Sequence, residues 1–127
     1  MELEIHEIRT EGRMEIKIEK VEEIDVLGLS GHVGYQDNLK VRELLKMVSR
    51  KGVKALVVNL DGIENVPPLL VGSFALFNQT FARGKSSKLV FCGLNEELLE
   101  GFKLNKVSGT LPYIASQKAA LNKVKAG

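Results

Sequence analysis

The chain has 127 residues, 44% of them hydrophobic and 27% charged, which suits one globular domain and excludes a disordered or fibrous chain. Its formal net charge of +2 gives no strong basic field for nucleic acid. A single cysteine, Cys92, excludes an internal disulfide and points to a reducing compartment, taken here as the cytoplasm.

The opening Met1-Glu-Leu-Glu-Ile is acidic and alternating, so no signal peptide is expected. Leu3, Ile5 and Ile8 alternate with polar residues, and residues 1–12 offer an extra N-terminal strand. Met14, Ile16 and Ile18 share one face and Glu15, Lys17 and Glu19 the other, the period of a half-buried strand. Ile24 to Leu29 is a denser apolar run closed by Ser30-Gly31, and Glu22-Glu23 between the two runs predicts a tight hairpin.

From Asp37 the period becomes helical, with Leu39, Val41, Leu44, Leu45 and Val48 as the apolar stripe and Asp37 or Asn38 as cap. Ser49-Arg50-Lys51-Gly52 ends that helix with cations and a glycine. Ala55 to Leu60 reads as a strand buried on both faces. Leu70 or Val71, Phe74, Phe77 and Phe81 form a second helical stripe, closed by Gly84. Leu89 to Cys92 is another buried strand, Glu96 to Leu104 a third helix, Leu111 to Ile114 a short extended segment, and Ser116 to Val124 a last helix capped by Ser116. Strands alternating with helices after an opening hairpin predict an α/β domain over residues 1–127. Its sheet is mixed and mostly parallel, with about 4–6 strands and about 4 helices.

The residues give little chemistry. The two histidines, His6 and His32, sit far apart in no catalytic context, and one cysteine with two separated histidines makes no metal site. Cys92 lies inside an apolar run and reads as a small buried hydrophobe. There is no Walker A or G-x-G-x-x-G loop, and Glu96, Glu97 and Glu100 suit a solvated helix face. The longest uncharged stretch, between Glu64 and Arg83, is too interrupted by Pro67, Pro68, Asn78 and Gln79 to span a membrane. A non-catalytic binding protein without cofactor or metal is the expectation.

Three stretches carry a resemblance. Val26-Leu-Gly-Leu-Ser-Gly31 is a strand ending in glycine before the first helix. Ala55-Leu-Val-Val-Asn-Leu-Asp-Gly-Ile63 is a central strand followed by an Asp-Gly-Ile turn. Leu104-Asn-Lys-Val-Ser-Gly-Thr-Leu-Pro-Tyr-Ile114, followed by Ala119-Ala-Leu121, is a closing segment. In this order and spacing the chain, from Met14 to Val124, resembles the STAS domain family of sulphate-transporter and anti-sigma-factor-antagonist domains. The resemblance implies a single STAS-like domain. Its expected partner is an anti-sigma factor or serine-kinase-like switch protein, with no nucleic acid, no membrane insertion, and a monomeric or weakly dimeric state. The alternative is a structural subunit of a larger complex, such as a lipid transporter or a multi-protein sensor.

Such regulators resemble one another in a phosphorylatable serine, within Asp-Ser-Ser/Thr-Gly, at the start of the second helix. Here the aspartate position holds Pro67 and the serine position holds Pro68, which has no hydroxyl, and an acidic residue usual after the first glycine is replaced by Gly34. Proline fits a first helical turn, so Pro67-Pro68 reads as a rigid helix start, compatible with a stiff apolar contact point. The expected partner surface is Val66, Pro67, Pro68, Leu69, Gly72, Ser73 and Leu76. The last four fall on an uncharged face beside the core stripe, open to a partner or covered by another helix. Ser73 is a displaced phosphosite candidate, more than one turn inside the helix.

Overall fold

In the computed structural model, which describes residues 6–9, 14–34, 36–65, 67–82, 88–96, 99–100 and 113–126, the first alternation becomes strand β2 (Glu15–Val21). Met14, Ile16 and Ile18 are buried and Glu15 and Lys17 exposed. Strand β1 (His6–Arg9) pairs antiparallel with β2, Ile8 facing Ile16. Strand β3 (Ile24–Ser30) pairs antiparallel along the whole of β2, and Val21 faces Ile24, so the loop is Glu22-Glu23 alone. Both glutamates have positive φ, 51° and 70°. A two-residue loop with both residues left-handed has the sign of a type I′ turn, the geometry that matches strand twist.

Strands β4 (Ala55–Asn59), β5 (Lys88–Cys92) and β6 (Tyr113–Ile114) follow in parallel, giving a six-stranded mixed sheet ordered β1-β2-β3-β4-β5-β6. Helices α1 (Asp37–Arg50) and α2 (Pro68–Ala82) are the crossovers from β3 to β4 and from β4 to β5. Both crossovers step the same way across the sheet, and a common hand places both helices on one face. Helix α3 (Gln117–Ala126) packs on the other face, over β4 and β5.

The alternation of the central strands divides the core accordingly. Leu27, Leu29, Leu56, Val58, Leu89 and Phe91 pack beneath α1 and α2. Ile24, Val26, Val57, Val90 and Cys92 meet Ala120, Leu121 and Val124 of α3. Phe74 of α2 lies against Phe91 with ring centroids 5.1 Å apart and planes tilted by 57°. Each fully buried large side chain of this kind contributes about 2 kcal/mol by removal from water.

Three helices are described where about four are predicted, a count the sequence reading approximates closely. The predicted helix from Glu96 to Leu104 lies outside the described residues except for helical backbone at Glu96, Leu99 and Glu100. Leu3, Ile5 and most of the Leu104–Ile114 stretch also lie outside them.

Two expectations about α1 are corrected. Leu39 does not join the core stripe but is 56% exposed. It precedes Val41 by two residues, about 200° around a helix, so it points away from the sheet. Asp37, the predicted cap, turns its carboxylate back to accept the Gly34 N–H at 2.6 Å. For α3 the predicted cap is in place: the Ala119 N–H donates to Ser116 Oγ at 3.2 Å.

Candidate functional site

Parallel strands deliver their following loops to one end of a sheet, and ligands and partners commonly engage that end. Here the β3–α1 and β4–α2 loops meet there. Beyond β4, Leu60 to Ile63 makes a tight turn in which the Ile63 N–H donates to the Leu60 carbonyl at 3.1 Å. Its third residue, Gly62, has φ +91°, the left-handed conformation a type II turn requires. The chain then runs beside Gly31: the Gly31 N–H donates to the Gly62 carbonyl at 2.9 Å, and the Glu64 N–H to the Gly31 carbonyl at 3.0 Å.

Asn65 closes the junction. Its Oδ1 accepts the Val33 N–H at 2.7 Å while its Nδ2 donates to the Val33 carbonyl at 3.0 Å. The Asn95 amide donates to the Ile63 carbonyl at 3.2 Å and ties in the loop after β5. Gly34 is tight against Asp37: a Cβ there would stand 3.1 Å from its Oδ2. A side chain at position 34 would have to displace the carboxylate that organises the loop.

Pro68 is the first residue of α2, where its missing N–H needs no partner, and the Pro67 carbonyl accepts the Leu70 N–H at 2.9 Å. Helix α2 therefore starts from a stiff hinge point at the end of a clamped loop. Of the predicted surface, Val66 lies outside the described residues, Pro67 and Gly72 are half-buried, and Pro68 is exposed. Leu69 and Leu76 are 54% and 51% exposed and, seven residues apart, lie on one helix face. At Ser73 the covered alternative holds. The residue is 3% exposed, and its hydroxyl donates to Asn38 Oδ1 of α1 at 3.1 Å.

Sequence reading missed the contribution of α1. Leu39, Arg42, Lys46 and Arg50, spaced three, four and four apart, form one outward stripe beside α2. A groove of about 270 Å³ runs between the helices, with Leu45, Phe77 and Leu76 as its apolar lining and Arg42, Lys46 and Arg50 along one side. Among the described residues, three of the four exposed large hydrophobic side chains (Leu39, Leu69 and Leu76) belong to this pair of helices; Tyr113 is the fourth. The opposite face of the sheet carries a second hollow of about 260 Å³, where Gly28 leaves bare sheet between Lys17 and Gln117.

Cys92 is buried, and desolvation, with Asp61 nearby, pushes its thiol up to about 11, so it is neutral and a poor nucleophile near pH 7. His32 is exposed, and no cluster of three or more His, Cys, Asp and Glu side chains suited to a metal occurs among the described residues. No helix among them is long and apolar enough to cross a membrane.

No protein-family model and no curated protein matches the chain. Solved structures do. An anti-sigma factor antagonist from Mycobacterium paratuberculosis is similar with a TM-score of 0.80 and 16% identity, over 93% of this chain and 99% of that one. An anti-sigma-factor-antagonist (STAS) domain protein from Planctomyces limnophilus gives 0.72 and 9%, over 87% and 97%. The anti-sigma factor antagonist SpoIIAA, in its unphosphorylated form, gives 0.71 and 11%, over 88% and 97%. At these identities the likeness establishes the fold, which is that of the STAS domain across nearly its whole length.

Proposed function

We propose that this STAS-fold chain is a non-catalytic regulator, as its likeness to structures named as anti-sigma factor antagonists supports, and that it binds an anti-sigma factor or a serine-kinase-like switch protein. The observation that carries the reading is the placing of Leu39, Leu69 and Leu76, all more than half exposed, on the two helices that leave the clamped loop end. Large apolar side chains gathered on one surface are what a protein partner covers. The proposed contact surface is Pro67 to Leu76 with Leu69 and Leu76 as anchors, continued onto α1 by Leu39, and Val66 is proposed as part of the same loop.

Control through a phosphate at the helix start is closed to this chain, because Pro68 stands where the resemblance puts the serine. Ser73 offers no ready substitute, since its hydroxyl is held between two helices. Competition among partners, or partner abundance, is the regulation that remains.

The test is affinity capture with the wild-type chain and with Leu69→Asp/Leu76→Asp as baits. A protein of the anti-sigma or switch-kinase class should be recovered by the first and depleted at least about tenfold by the second, since two desolvated leucines carry more than 1.4 kcal/mol. Equal recovery by both baits, or recovery of no protein of that class, refutes the proposal.

A further inference from the structure

We infer that the groove between α1 and α2 receives an acidic amphipathic helix from the partner protein; this rests on the partner-binding reading above and specifies the chemistry of what is bound. The apolar part of the groove, Leu45, Leu76 and Phe77, suits the leucine-type anchors of a helix laid along it. The sign of its charge is set by α1 alone. Arg42, Lys46 and Arg50 all line the groove, at i, i+4 and i+8, and no acidic residue among the described residues lines it.

Like charges one turn apart repel, and a helix serving only as a crossover gains from alternating its charges instead. No ion pair to any of the three cations is found among the described residues, and Arg42 Nε is buried without a hydrogen-bond partner. The acidic residues of α1 do not answer them: Asp37 is turned to Gly34, and Glu43 is not in the groove. The whole chain has a net charge of only +2, so this stripe is a local concentration and not part of a general basic surface. A partner helix with leucines on one side and glutamates along the flank facing α1 would bury the apolar strip and supply an anion to each cation in one step. Complementary charge of this kind sets partner choice and orientation.

The groove is the size of a few side chains, about 270 Å³, room for the anchors of one helix face. Its apolar floor distinguishes it from a phosphate-tracking channel, which needs cations on both sides and no leucine anchors.

The probe is a fluorescein-labelled amphipathic helical peptide of about 18 residues, with leucines at i, i+3 and i+7 and glutamates on the flank. It is compared with the same peptide carrying glutamine for glutamate, by fluorescence anisotropy on the full chain. The glutamate peptide should bind at least about tenfold more tightly, lose affinity as salt rises from about 0.05 to about 0.5 M, and lose it again on Lys46→Glu/Arg50→Glu. Circular dichroism melts verify the fold of that variant, and Lys46→Gln/Arg50→Gln replaces it if the reversal unfolds the chain.

Equal binding of the two peptides, lost on Leu69→Asp/Leu76→Asp, overturns the acidic requirement while leaving the partner surface standing. Binding of neither peptide, with natural partner capture intact, also overturns it. So does a single-stranded oligonucleotide that competes with the glutamate peptide at equal concentration, or a self-association of the chain that Lys46→Glu/Arg50→Glu abolishes, because each gives the groove another occupant.

Discussion

Replacing Asn65 by alanine removes both halves of the junction between the β3–α1 and β4–α2 loops. Two hydrogen bonds are lost, of 2.7 and 3.0 Å, both to the backbone of Val33, which is itself buried. A net contribution of about 1 kcal/mol per bond, with the Val33 N–H and carbonyl left short of partners, gives a loss of about 2 kcal/mol. For a domain of this size that lowers the thermal midpoint by about 8 °C. Asn65→Asp keeps the acceptor for the Val33 N–H but sets a carboxylate oxygen against the Val33 carbonyl where the amide donated, so it should be no more stable than alanine. The chain has no tryptophan, so urea and thermal unfolding are followed by far-UV circular dichroism. Amide exchange at Val33 reads the junction directly, since opening it exposes that N–H without unfolding the sheet. A midpoint within about 1 °C of wild type, together with unchanged exchange at Val33, would refute the clamp as the element that holds the two loops together.

Glu23, at φ 70° in the hairpin, carries strain that glycine would not, and Glu23→Gly leaves the Glu22–Lys125 ion pair in place. The variant should gain about 1 kcal/mol and melt about 4 °C higher, and a lower midpoint would show that the turn is relaxed as it stands. Cys92 gives a pH prediction. Burial raises its thiol from 9.0 to about 11, so the folded state holds a proton the unfolded chain has released. The stability this contributes is full below pH 9 and is lost as pH rises toward 11. Wild type should lose that stability relative to Cys92→Ala over this window, and parallel pH profiles of the two melting curves would contradict it.

Much of the architecture is written locally. The alternation over Met14 to Ile18 places one face of β2 in the core, and the all-apolar run Leu56-Val-Val58 belongs to a strand covered on both sides. The hairpin was legible although Glu-Glu is poor chemistry for it, because the apolar runs on either side leave only two residues for the turn. What the sequence hides is non-local. Leu39 is the exception, misplaced on local grounds, since its two-residue offset from Val41 already turns it off the core stripe. Ser73 shares a face with Leu69 and Leu76 on its own helix, yet faces inward because α1 lies beside it and Asn38 meets its hydroxyl. The Asn65–Val33 contact spans 32 positions, and no local pattern announces an asparagine that reads a backbone so far away. The cation spacing on α1 was visible in principle, but Arg42, Lys46 and Arg50 look like ordinary solvated charge until α2 supplies the other wall of the groove.

The strand order β1-β2-β3-β4-β5-β6 has a consequence for how the molecule is assembled. Each strand lies next to the one before it in the chain, so none has to thread between two that are already paired. During synthesis every new strand finds its docking edge waiting on the strand made just before it. Only the hairpins close over short loops; the parallel pairings β3–β4, β4–β5 and β5–β6 each close over a crossover of about 20 to 28 residues, so they are the slow steps of assembly.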